Sequence, residues 1–160
     1  MQGIFIVLLT TDDPGKMVVL RRALENQGYI VDSAVDGMEA ITKVYHCPPS
    51  LVIADVRMPE LNGYHLCRLL RNDPATAHIP VILMTGHQDR HDRFWGQNAG
   101  ANHSLEYDKD PEPLLAAVSR LLPLDNSIAP QCLLSPPRPV DHAEVHARIN
   151  EILDRFLYGS

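Results

Sequence analysis

Short, uninterrupted apolar runs recur through residues 1–122 of this chain, and segments with helical spacing separate them. An apolar run without alternation is typical of a strand buried on both faces, as in a parallel sheet that helices cover on each side. The predicted strands lie at residues 4–9, 29–34, 51–54, 81–85 and 101–105. The predicted helices lie between Pro14 and Gly28, between Met38 and Pro48, and over residues 61–72, 88–99 and 111–122. Strand and helix therefore alternate five times, which predicts an α/β domain.

Right-handed crossovers fold such units into a doubly wound parallel sheet. The expected strand order is 2-1-3-4-5, which places the topological switch point between the first and third strands. In sheets of this kind, functional groups gather beyond the carboxyl ends of the strands at that point. Polar residues that follow the first, third and fourth strands are therefore the candidates for a functional site.

Carboxylates follow two of these strands. Asp12 and Asp13 come after the first strand, and Asp55 comes directly after the run LVIA of residues 51–54. The hydroxyl of Thr85, at the end of the fourth strand, is expected at the same edge of the sheet. Carboxylates that converge repel one another unless a cation neutralises them. Oxygen ligands with no nearby cage of His and Cys favour Mg²⁺ over zinc, so the pattern predicts a magnesium site.

Composition excludes several classes of function. The net charge of −6 disfavours direct binding to nucleic acid, because phosphate binding needs a basic face. No apolar run approaches the length of about 20 residues that crosses a membrane, and the N-terminus lacks the basic leader of a signal peptide. The scattered Cys47, Cys67 and Cys132 suit free thiols in a reducing cytoplasm better than a disulfide framework.

The acid after the first strand, the aspartate after the third and the hydroxyl after the fourth together resemble the receiver domain of two-component response regulators. Asp55 stands in D-V-R-M-P with a glycine soon after, like the family's D-x-x-M-P…G, and Thr85 follows it by the family's usual 30 residues (85 − 55). Further matches are Asp12-Asp13-Pro14, Asp36-Gly37, Ile79-Pro80 and Gly100-Ala101. The resemblance covers residues 1–122 and implies a flavodoxin-like (βα)5 domain.

The resemblance implies a role in a cytoplasmic phosphorelay, as a switch rather than an enzyme. Asp55 would accept a phosphoryl group from a sensor histidine kinase, and Thr85 would hydrogen-bond a phosphoryl oxygen. Mg²⁺ would be held by Asp12, Asp55 and the main-chain carbonyl of Arg57, with Asp13 as a further candidate ligand. The usual output surface of the family corresponds to the predicted helix 88–99, strand 101–105 and helix 111–122.

Three positions depart from the family pattern. Thr11 replaces the first member of the acidic pair, and Ser104 replaces an aromatic residue that reports the state of the switch. Tyr107 stands where the fifth strand normally ends in a lysine that pairs with the phosphoryl group. A charge-assisted hydrogen bond contributes about 1.5–3 kcal/mol, so its loss predicts weaker coupling of phosphorylation to output. Lys109 has the same strand parity as Tyr107, but Asp110-Pro111 should already begin the next helix.

The residues leave three functional interpretations open. Asp12, Asp55 and Thr85 favour a working phosphoacceptor. The three departures favour a degenerate receiver, which keeps the fold but acts as a protein-interaction module without phosphorylation. An aspartate-nucleophile phosphohydrolase is a lesser alternative, because such enzymes usually place a second aspartate two residues after the first, where this chain has Arg57.

The residues after 122 differ in character from the domain before them. Residues 123–140 are rich in proline and predict an extended linker. The apolar spacing in residues 141–158 predicts a further helix, with a short coiled-coil seam at Val145, Ile149, Ile152 and Phe156. This helix has three expected uses: it forms a homodimer, it leads toward an output domain or partner protein, or it docks on its own domain.

Overall fold

The computed structural model describes residues 5–58, 61–85, 100–107 and 109–122, together with Ala143, Ala147 and Asn150. Its centre is a five-stranded parallel sheet in the order 2-1-3-4-5. The strands are β1 (Ile6–Thr10), β2 (Ile30–Ala34), β3 (Leu51–Asp55), β4 (Val81–Thr85) and β5 (His103–Glu106). The predicted fold class and strand order are confirmed.

Four helices lie within the described residues up to Leu122, and their starts are fixed close to the strand ends. They are α1 (Pro14–Asn26), α2 (Gly37–His46), α3 (Gly63–Asn72) and α4 (Glu112–Leu121). The side chains of Asp13, Asp36 and Asn62 cap the first three by accepting hydrogen bonds from main-chain N–H groups. The helix predicted over residues 88–99 falls outside the described residues. None of the helices in the described part is long and apolar enough to span a membrane.

The sheet separates two apolar clusters, one on each face. Helices α2 and α3 cover one face, over Val52 and Leu83. Helices α1 and α4 cover the other, over Ile53 and Ile82. Strands β1, β3 and β4 are buried along their whole length, which explains their continuous apolar sequences. Because alternate residues of a strand point to opposite faces, the parity of a strand-end residue decides which helices it meets.

The carboxyl edge of the sheet is closely packed around the end of β3. A Cβ atom added at Gly63, the first residue of α3, would lie 2.5 Å from the main-chain oxygen of Asp55. The N–H of Gly63 donates a hydrogen bond of 3.0 Å to the carbonyl of Val56. The start of α3 is therefore held directly against the residue that ends β3, which only glycine permits at this distance without a backbone shift.

The cysteines correct one expectation from the sequence. Cys47 is disulfide-bonded, so the expectation of free thiols is wrong for this residue, since an odd number of cysteines does not exclude one pair. Cys67 on α3 is buried and forms no disulfide bond. Burial raises the pKa of its thiol to about 11, which keeps the thiol protonated at neutral pH.

Candidate functional site

Asp55 is the last residue of β3, and only 6% of its surface is exposed. It has the same strand parity as Ile53, which belongs to the apolar cluster under α1 and α4. A buried carboxylate persists as an anion only where hydrogen-bond donors or a cation compensate for lost hydration. The start of α1 supplies a cation, and the residues just before α1 supply a hydrogen-bond donor.

The cation is Lys16, in the first turn of α1. Its ammonium Nζ lies 2.9 Å from Oδ1 and 3.0 Å from Oδ2 of Asp55. The two side chains are 19% and 9% exposed, so the pair is largely shielded from water. Among the described residues, no other ion pair reaches Asp55. Lys16 therefore supplies the positive charge that faces the candidate phosphoacceptor.

The sequence pattern did not indicate Lys16, because a lysine in the first turn of a helix is usually part of a solvated surface. Two signals together could have found it. Pro14 starts α1 at the site edge, so the first turn must lie beside the strand ends. Tyr107 also replaces the family's lysine, so a cation for Asp55 had to come from another element. A lysine on a neighbouring helix or strand could supply it.

Thr11 is a donor to Asp55. Its hydroxyl donates a hydrogen bond of 2.5 Å to Oδ2 of Asp55, and Thr11 is only 1% exposed. The N–H of Asp13 donates in turn to the hydroxyl oxygen of Thr11 at 3.2 Å. A second acid at position 11 would repel Asp55 in the absence of a metal, whereas threonine stabilises it.

Tyr107 lies beneath the Lys16 ammonium. Nζ of Lys16 is 5.2 Å from the centroid of the Tyr107 ring, a distance typical of a cation–π interaction. The N–H of Tyr107 donates to the carbonyl of Thr85 at 3.0 Å, which extends the pairing of β5 with β4 by one residue. Burial raises the pKa of the Tyr107 hydroxyl, and the carboxylates of Asp13, Asp110 and Asp55 raise it further. Tyr107 is therefore neutral at physiological pH and presents a ring face to the ammonium.

Asp12 and Arg57 are both exposed and line one open cleft, together with Val56, Met58 and Asn62. Within the described ranges, no three His, Cys, Asp or Glu side chains form a group suited to a metal ion. Mg²⁺ in proteins is commonly bound through one or two carboxylates and retains several waters. The carboxylates of Asp12 and Asp55 with a main-chain carbonyl after β3 are therefore a donor set of the right chemistry for Mg²⁺.

Asp13 has a different role in the structure. Its Oδ1 accepts hydrogen bonds from the N–H groups of Gly15 at 2.9 Å and Lys16 at 3.2 Å. This cap fixes the first turn of α1. It also fixes the main chain from which the Lys16 side chain reaches Asp55.

The other residues singled out in the sequence lie farther along the edge. The Thr85 hydroxyl donates to the carbonyl of Leu105 at 3.3 Å, so it faces β5 and not Asp55. Ser104 pairs with Leu83 in the sheet. Lys109 is exposed, with a left-handed backbone at φ 58°. The ammonium found at Asp55 comes from Lys16 and not from Lys109.

Comparison with known proteins identifies the family to which the chain belongs. The family model described as the response regulator receiver domain matches residues 7–119. The chain belongs to this family. Receiver domains of this kind act in two-component phosphorelay signalling, so the family and the broad function predicted from the sequence are confirmed.

Curated relatives include short and long proteins. Protein PilH of Pseudomonas aeruginosa is 34% identical over 116 residues, which are 72% of this chain and 96% of PilH. The DNA-binding dual master transcriptional regulator RpaA of Synechocystis sp. is 32% identical over 139 residues, which are 87% of this chain and 54% of RpaA. This receiver chain thus spans about half the length of RpaA.

Solved structures agree in fold. The signal receiver domain of a signal transduction histidine kinase from Syntrophus aciditrophicus superposes with a TM-score of 0.70 and 34% identity, covering 74% of this chain and 90% of that one. The response regulator protein TrrA from Thermotoga maritima, solved in complex with Mg(2+)-BeF, gives a TM-score of 0.67 and 25% identity, covering 74% and 99%.

Proposed function

We propose that Asp55 is the phosphoacceptor of this receiver domain and that a sensor histidine kinase is the donor. The observation that carries the proposal is the carboxylate itself, which is buried at the end of β3 and held by Thr11 and Lys16. An Asp55 oxygen bonds to phosphorus as the P–N bond of the phosphohistidine breaks. The electron pair of that bond leaves with the imidazole, whose other nitrogen carries a proton.

Asp12, Asp55 and the Arg57 carbonyl are the proposed Mg²⁺ ligands, and Asp13 becomes available only if it releases its cap on α1. Bound Mg²⁺ neutralises charge that develops on the transferring phosphoryl oxygens. Thr85 is proposed to exchange its hydrogen bond to Leu105 for one to a phosphoryl oxygen. Since Leu105 belongs to β5, that exchange would alter the β5 edge of the domain, which gives the phosphorylated state a surface to act through.

The test uses a small phosphodonor. Incubation of the protein with acetyl phosphate and Mg²⁺ should add the mass of one phosphoryl group, and beryllofluoride should bind at the same place. Asp55→Ala should lose both responses. Asp32→Ala is the matched control, because Asp32 is an exposed carboxylate on β2 whose partner is Lys43. A wild-type protein that takes neither reagent contradicts the proposal.

The degenerate receiver is the second candidate function, and one observation favours it. Both Asp55 oxygens already have partners in Lys16 and Thr11, so this carboxylate is compensated without metal or phosphoryl group. Phosphorylation-independent binding of a partner protein would follow, and absence of any Asp55 adduct would support it. The phosphohydrolase alternative requires turnover of a generic phosphate ester, and Arg57 still stands where its second aspartate belongs.

We propose residues 1–122 as the receiver, 123–140 as a linker, and 141–158 as a helix that supports a homodimer or joins an output domain or partner protein. A cytoplasmic location follows from the proposed kinase partner.

A further inference from the structure

The position of the phosphoryl-pairing lysine in this family is occupied by Tyr107, yet the site still contains an ammonium. It comes from Lys16, in the first turn of α1. We propose that Lys16 is the cation that pairs with the phosphoryl group on Asp55, and that Tyr107 positions the Lys16 ammonium through a cation–π interaction. The inference rests on the proposed phosphoacceptor role of Asp55.

The geometry suits this role. Lys16 contacts both Asp55 oxygens at nearly equal distances, 2.9 and 3.0 Å, so it lies in front of the carboxylate and not to one side of it. A lysine ammonium carries three N–H donors. When one Asp55 oxygen becomes bonded to phosphorus, a donor can turn to a phosphoryl oxygen while another keeps the free Asp55 oxygen. This exchange of hydrogen bonds transfers no proton from Lys16, so no proton acceptor is needed.

The main chain beneath Lys16 is fixed. Asp13 accepts from the Lys16 N–H at 3.2 Å, and Pro14 restricts the backbone at the helix start. The Tyr107 ring, 5.2 Å below Nζ, attracts the ammonium through its negative face. A preorganised cation aimed at developing charge is a standard means of stabilising phosphoryl transfer. Lys43 offers a contrast, because its side chain is 35% exposed and its ion pairs are with Asp32 of β2 and Glu39 of α2.

Lys16→Met tests the proposal, since methionine keeps the length of the side chain and removes the charge. The rate of phosphorylation by acetyl phosphate with Mg²⁺, measured by intact mass, should fall about ten- to a hundredfold, the effect expected for one charge-assisted hydrogen bond. Lys16→Arg should retain a larger share of the rate than Lys16→Met. Lys43→Met is the matched control and should react like the wild type.

The double variant Lys16→Met/Tyr107→Lys returns an ammonium to the position that the family uses, and recovery of phosphorylation there supports relocation of the charge. A wild-type rate, or a faster one, in folded Lys16→Met overturns the inference and leaves the phosphoacceptor role of Asp55 intact. Absence of phosphorylation in the wild type overturns both.

A second measurement needs no variant at position 16. Amine acetylation of the wild-type protein, mapped by mass spectrometry, compares Lys16 with Lys43 before and after binding of beryllofluoride with Mg²⁺. Lys16 should become at least severalfold less reactive while Lys43 stays unchanged. An increase in Lys16 labelling would mean that the phosphoryl analogue displaces the ammonium, which overturns the proposal.

Discussion

Asp55 has hydrogen-bond and ion-pair partners in the structure without any metal or phosphoryl group. Thr11 donates to it at 2.5 Å and Lys16 at 2.9 Å. These are short-range, largely shielded contacts, so they are screened by salt much less than surface pairs. Thr11 adds no negative charge at a position where the family has an acid, and Lys16 adds a positive charge next to Asp55. Thr11 and Lys16 therefore both make the surroundings of Asp55 less negative than an acidic pair would.

Thr11→Asp should make the stability of the protein depend on a divalent cation. Two carboxylates would then face one ammonium, and without Mg²⁺ the free energy of unfolding should fall because like charges repel in a buried setting. Mg²⁺ at about 100 times its dissociation constant should raise the free energy of unfolding of this variant by about 2.7 kcal/mol. Thermal melting with and without Mg²⁺ measures both effects.

Thr11→Ser is the matched control, because it keeps the hydroxyl that donates to Asp55. Its melting temperature should respond to Mg²⁺ no more than that of the wild type. An equal response of Thr11→Asp and Thr11→Ser to Mg²⁺ would show that position 11 does not control the affinity of the site for the metal.

At the scale of elements, strand ends meet helix starts to form the site. The N-terminus of α1 brings Lys16, and the N-terminus of α3 packs on the Asp55 backbone through Gly63. Caps by Asp13 and Asn62 fix both starts. The position of Asp55 thus depends on two helix termini as well as on its own strand.

Gly63→Ala should disturb this junction. Its Cβ would meet the Asp55 main-chain oxygen at 2.5 Å, and a backbone atom cannot move aside cheaply. We expect a loss of about 1–3 kcal/mol in the free energy of unfolding, as for other overpacked sites. Urea denaturation measures the loss, and slower phosphorylation of Asp55 should accompany it.

Gly15→Ala is the comparison for this change. Its Cβ would lie 3.3 Å from the Asp13 carboxylate oxygen, a side-chain atom that can shift, and alanine is favoured over glycine in a helix by up to about 1 kcal/mol. Gly15→Ala should therefore be near neutral. A loss as large as that of Gly63→Ala would mean that general crowding at helix starts, and not the Asp55 contact, sets the cost.

The sequence predicted the elements well where apolar periodicity decides them. Strand β4 has the predicted bounds, and β3 extends one residue further to include Asp55. Strand β1 ends later than predicted, at Thr10, because this polar residue is completely buried beside its neighbouring strands. Lys16 could not be predicted in the same way. Its role depends on where a long side chain reaches across the sheet edge, which no local pattern encodes.

At the scale of the whole molecule, the sheet keeps its two apolar faces covered by different helices. Asp55 and Tyr107 have the strand parity of the face under α1 and α4, where Lys16 enters. Ser104 and Glu106 have the opposite parity. Lys16 and Tyr107 therefore connect Asp55 to α1 and to the chain that leads into α4, whereas the Thr85 hydroxyl connects the site to the β5 main chain.

Residues 141–158 are predicted to form a helix that supports a dimer. Ala143, Ala147 and Asn150 are helical and exposed, and their spacing places them on one side of a helix. At 100° per residue, the predicted seam positions Val145, Ile149, Ile152 and Phe156 fall on the opposite side. A helix this short is marginal in water by itself, so the seam needs a partner surface.

Deletion of residues 140–160 should shift the protein from dimer toward monomer in sedimentation velocity or light scattering. Ile149→Asp should do the same by placing a charge in the predicted seam, whereas Asn150→Asp adds the same charge on the exposed side and should leave the assembly unchanged. A full chain that is monomeric at high concentration contradicts the dimer and favours docking of the helix on its own domain. A truncated chain that remains dimeric places the interface elsewhere, and the surface formed by β5 and α4 is then the one to test, because the Thr85 hydrogen bond to Leu105 connects it directly to the site.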